Sequence, residues 1–120
     1  LFLRKERANV KIAALKLKDI EWEQTQSLLS LKNKIKALYF QKERLKKQKE
    51  IALNVVSDYQ SLLEGEKQKF EAGESSLFLV NTRESKLIEA MLKSISIDIA
   101  QKKAEITYYY AVNFEALAQG

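Results

Sequence analysis

A chain of 120 residues with no proline, three glycines and 31% charged residues has few places to reverse direction, which excludes the turn-rich β folds. It has no cysteine and no histidine, so disulfides, thiolate and zinc chemistry and the usual acid–base side chain at neutral pH are excluded too. The net charge of +5 is divided, with 14 Lys/Arg against 6 Asp/Glu in residues 1–50 and 7 against 10 in residues 51–120.

The opening, Leu1-Phe2-Leu3-Arg4-Lys5, has no starting methionine and no signal-peptide pattern, and reads as part of a longer protein. From Val10 onward apolar residues recur every three or four positions: Val10, Ala13, Leu17, Ile20, Leu28, Leu31, Ile35, Leu38, Leu45, Ala52, Val56, Tyr59, Leu63 and Phe70. A stripe sustained over so many heptads predicts a coiled-coil helix over about 4–71. Gln24, Lys42 and Lys49 interrupt it. A second, shorter stripe of Leu15, Trp22 and Leu29 repeats every seven residues on another face. One stripe pairs two helices; two stripes give a helix neighbours on both sides.

Gly65 is the only internal weak point, costing about 1 kcal/mol relative to alanine. The break predicted at residues 72–76 centres on Gly73, suited to the left-handed residue that ends a helix. Ser75 or Ser76 then caps the next helix, with Ser75 preferred; a start at Asn81, with Glu84 at capping-box spacing, is the alternative. The second helix, about 76–118, carries Leu77, Val80, Leu87, Met91, Ile95, Ile99, Ile106, Tyr109 and Leu117. A partly separate row of Ala90, Ile97, Ala100, Ala104, Tyr108 and Ala111 is rich in small residues that permit close approach.

The predicted fold is therefore all-α, a single long antiparallel hairpin across residues 1–120. At ~1.5 Å per residue the first arm is roughly 100 Å long and the second roughly 65 Å. Folding back at Gly73 brings the second arm to its end opposite about residue 30. Leu17, Ile20, Trp22, Leu28 and Leu29 are left without a partner in the chain, and are expected to contact another subunit. In isolation the expected product is a dimer pairing the overhanging ends.

Chemistry is sparse. Neighbouring carboxylates such as Glu64 with Glu66 and Glu71 with Glu74 lie on a rod that offers no cleft to separate their pKa values. There is no glycine-rich phosphate loop and no metal-ligand cluster, so neither catalysis, cofactor nor metal is expected. The basic first half raises nucleic acid as a partner, but its lysines are dispersed, are mixed with Glu43 and Glu50, and lack an aromatic ladder. A solvated helix face accounts for them.

The segment Phe70-Glu71-Ala72-Gly73-Glu74-Ser75-Ser76-Leu77-Phe78-Leu79-Val80-Asn81 resembles the hairpin tip of TolC-type outer-membrane efflux proteins. There an aromatic residue, two more residues and a glycine precede a polar residue, a short apolar run and an Asp or Asn. Leu1 to Asn9 resembles the segment after the last β-strand of that family's second repeat, and some seventy residues separate it from the glycine. The resemblance implies the second periplasmic helical hairpin of a trimeric channel subunit, below a β-barrel that carries the membrane contact. It implies docking of a periplasmic adaptor protein, and through it an inner-membrane pump, at a tip region of Phe70, Gly73, Glu74, Ser75 and Ser76. Phe70 and Ser75 stand where well-known members carry the aromatic residue and the arginine of an entrance latch, so an identical latch is not expected. The competing readings are the coiled-coil hairpin of a periplasmic adaptor and a cytosolic coiled-coil scaffold.

Overall fold

A computed structural model describes residues 2–120, and Leu1 lies outside them. Two helices account for nearly all of the described chain: α1, Phe2–Glu71, and α2, Leu77–Gln119. They form an antiparallel hairpin measuring 106 × 24 × 13 Å. The all-α hairpin expected from the heptads is the observed fold.

The seam follows the heptad pattern. Along α1 the seam runs through Leu28, Leu31, Ile35, Leu38, Lys42, Leu45, Lys49, Ala52, Val56, Tyr59, Leu63 and Glu66, all wholly or partly buried and in alternating steps of three and four. Facing them on α2 are Val80, Arg83, Leu87, Ala90, Ser94, Ile97, Gln101, Ala104, Tyr108 and Ala111. No side chain is fully buried, as expected of two rods that leave most of each surface in water. Register is set by pairs such as Tyr39 with Tyr108, ring centroids 5.8 Å apart, and Lys49 with Asp98.

Two lysines that interrupt the α1 stripe are accommodated in this seam. Lys42 Nζ sits 5.1 Å from the Tyr39 ring centroid and 4.9 Å from that of Tyr108, a cation–π arrangement bridging the helices. Lys49 Nζ lies 2.6 Å from Asp98 Oδ1, and Lys102 Nζ lies 3.1 Å from Oδ2. Lys67 and Glu84, 3.8 Å apart, add an exposed pair nearer the turn.

On α2 the structure divides the predicted rows differently: Val80 and Leu87 of the first row join the seam, and its members from Met91 on are left outside. The small residues Ala90 and Ala104 are buried against α1, with Ile97, Tyr108 and Ala111 partly buried beside them. Met91, Ile95, Ile99, Ile106, Tyr109 and Leu117 face away. Small side chains let the two backbones approach, so the face with less apolar surface per residue makes the intrachain contact.

The turn carries one correction. Glu74 N–H donates to the Lys69 carbonyl at 2.8 Å and Gly73 N–H to that of Phe70 at 3.0 Å. This six-to-one and five-to-two pairing is a Schellman motif, and Gly73 supplies its left-handed residue with φ +79°. The cap of α2, however, is Ser76 rather than Ser75 or Asn81. Ser76 has extended backbone, and its Oγ accepts from Leu79 N–H at 3.3 Å. Ser75 is turned back to α1, where its hydroxyl donates to Glu66 Oε1 at 3.1 Å. A buried carboxylate needs a donor more than an exposed helix end does, and Ser76 is free to serve the helix.

Candidate functional site

Three surfaces carry chemistry that the intrachain seam does not use. The first is the tip. Of the residues expected there, Phe70, Gly73, Glu74 and Ser76 are exposed, and Ser75 is partly buried by its bond to Glu66. The Schellman turn and the Ser76 cap together satisfy the N–H groups of Gly73, Glu74 and Leu79, which a chain reversal would otherwise leave open. The tip is thus a tight, capped knuckle.

Sequence reasoning missed the apolar half of this knuckle. Leu77 and Phe78 project from the first turn of α2, and Phe78 is 76% exposed. With Phe70 they surround the turn with apolar groups, while Glu71 and Glu74 supply negative charge. The available signal was the run Leu77-Phe78-Leu79, directly behind a serine cap where the partner helix has no length left to cover it.

The second surface is the outer face of α2. Ile88, Leu92, Ile95, Ile99 and Ile106 recur in steps of three, four and seven on the side away from α1, and Ile95 is 56% exposed. The third is the uncovered part of α1. Every described residue before Leu28 is exposed, including Leu17, Ile20 and Trp22, the last at 65%. Leu28 is different: it is partly buried, and with Phe114 and Ala118 it lines a groove at the end of α2. It is the last residue of the intrachain seam.

At ~100° per residue, Leu17 and Ile20 share one face of the overhang, while Leu15, Trp22 and Leu29 lie on nearly the opposite one. The structure therefore divides the five expected contact residues between two faces of α1: Leu17, Ile20 and Leu28 on the one that continues the seam, Trp22 and Leu29 on the other.

Among the described residues no group of three or more His, Cys, Asp or Glu could hold a metal ion, and no helix is long and apolar enough to cross a membrane. One carboxyl departs from its ordinary behaviour. The Lys49 ammonium paired with Asp98, aided by that of Lys102, holds its carboxyl below the usual carboxylate range, against a smaller opposing effect of burial. That arrangement orders the seam and is far from the tip.

No family model matches the chain, and no curated protein or solved structure matches it either.

Proposed function

We propose that this hairpin is a wall element of the periplasmic α-helical tunnel of an outer-membrane efflux or secretion channel, a passive conduit for export. The observation that carries the reading is the tip. The segment from Phe70 to Asn81, which resembles the TolC-type tip, forms a tight reversal with Gly73 in the left-handed region. Its exposed apolar and acidic side chains suit docking to a periplasmic adaptor protein, which in turn engages an inner-membrane pump.

The two-sided character of the rods supports the same reading. A helix in a closed wall touches neighbours on both flanks, and α2 has α1 on one side and an isoleucine-rich stripe on the other. The overhang of α1 would meet other helices of the channel, which is expected to be a trimer.

The chain has no cysteine, so Glu74→Cys in the full-length parent introduces the one cysteine of this hairpin, at its tip. In cells, this variant is expected to cross-link to a periplasmic adaptor, and the parent to fractionate with the outer membrane. A parent found in the cytosol would favour the scaffold reading. One carrying the hairpin between lipoyl-like and barrel domains would be an adaptor. Either result defeats the channel proposal.

A further inference from the structure

The overhang of α1 is continuous with the seam it extends. The groove at the end of α2 runs from Phe114 and Ala118 across Leu28 and Gln24 to Ile20. The apolar face beyond it is Val10, Ala13, Leu17 and Ile20, all exposed. Steps along this face alternate between three and four until Ile20, Gln24 and Leu28, where two steps of four follow each other. Such a stutter locally unwinds a coiled coil and lets the apolar face run on to a new partner.

We propose that this partner is a second copy of the chain, paired antiparallel through the overhang. The face is its own complement. Placing Val10 opposite Ile20 of a second copy also places Ala13 opposite Leu17, and a two-fold axis at the level of residue 15 repeats both contacts. Large residues meet at the ends and a small one meets a large one near the centre, as an interdigitated seam requires. On one flank, Arg7 of each copy falls beside Glu21 of the other, giving two symmetry-related ion pairs. The other flank is less favourable, since Lys16 faces its own copy, but its long stem lets the two ammonium groups diverge into water.

The arrangement has a shape consequence. The two turns point in opposite directions, and the joined rod is roughly 170 Å long, against 106 Å for one hairpin. Trp22 lies about 200° round the helix from Ile20 and stays in water. The proposal does not rest on the channel reading. It concerns the 120-residue chain alone, and its failure leaves that reading untouched.

The test is a charge exchange read by light scattering and small-angle X-ray scattering. The wild-type chain is expected at twice 13.9 kDa with a maximum dimension of roughly 170 Å. Arg7→Glu alone and Glu21→Arg alone each place like charges together, and each is expected to lower association at least tenfold. An equimolar mixture of the two is expected to recover the dimer, because every flank contact is then an opposite pair. Leu17→Lys is expected to give monomers that keep the helical hairpin, since Leu17 lies outside the intrachain seam, and whose melting temperature no longer rises with concentration as that of the wild-type dimer does. Three results would overturn the proposal: a wild-type monomer at high concentration, a dimer no longer than one hairpin, or an association that shifts Trp22 emission to the blue.

Discussion

Lys49 Nζ and Asp98 Oδ1, 2.6 Å apart, join the middle of α1 to the middle of α2 at a position where the heptad pattern calls for an apolar residue. Lys102 closes on the other carboxylate oxygen at 3.1 Å. A polar contact inside an otherwise apolar seam costs some stability but fixes which residues face each other. Because Asp98 titrates below its ordinary range in the fold, its charged form is favoured by folding. The stabilisation is complete above the unfolded value, near pH 4, and is lost as pH falls through the lower folded value. Thermal melts from pH 7 to pH 2 should therefore show a steeper acid-side loss for the wild-type chain than for Asp98→Asn. Parallel curves would mean that the pair does not couple to folding.

Two glycines separate conformational need from conformational cost. Gly73 has φ +79°, so Gly73→Val forces a β-branched residue into the left-handed region, at a cost of roughly 1–2 kcal/mol. Gly65 sits inside α1 with nothing within 4 Å of where a Cβ would stand. Gly65→Ala should stabilise the hairpin by up to about 1 kcal/mol. Calorimetry on the two variants should move the melting temperature in opposite directions, and an unchanged melt for Gly73→Val would show that another residue sets the reversal.

At the neighbouring serines the expected effects differ in kind. Ser76→Ala removes the N-cap of α2 and should cost about 1 kcal/mol, with fraying confined to the first turn. Ser75→Ala removes the donor to Glu66, a residue only 7% exposed, and leaves a buried carboxylate oxygen short of a partner. Amide exchange should report the first as faster exchange at residues 77–80 and the second as loosening on both sides of the turn. If Ser75→Ala changes nothing, water replaces the hydroxyl.

Much of this was legible before the structure. The α1 stripe from Leu28 to Leu63 became the seam, Gly73 took the left-handed conformation, and the overhang before Leu28 has no partner in the chain. Heptad spacing and glycine chemistry carry that information directly. Which serine capped α2 was not legible, because adjacent serines have equal capping chemistry and the choice was made by Glu66, nine residues before Ser75. The role of Lys49 was hidden for a similar reason. A lysine in a stripe reads as an interruption until an aspartate from the opposite helix is placed beside it.

The assignment of the two α2 faces gives the sharpest contrast, because Ile95 and Ile97 are the same residue two positions apart. Ile97 is partly buried toward α1, lining a groove with Ala52, Val55 and Ala90, whereas Ile95 points outward. Ile97→Lys places an ammonium group against that apolar surface and should cost about 1–3 kcal/mol, lowering the melting temperature by several degrees. Ile95→Lys stays within about 0.5 kcal/mol, since its side chain is already in water and lysine favours the helix slightly more than isoleucine. In the channel subunit proposed above the order reverses for assembly: Ile95→Lys would block packing on the outer face while leaving the hairpin folded. Melting of the two purified variants, with oligomer recovery from membranes for that subunit, checks both halves. Equal destabilisation by the two lysines would mean that α2 is rotated from the orientation described, and assembly indifferent to Ile95→Lys would remove the outer stripe as a contact between wall helices.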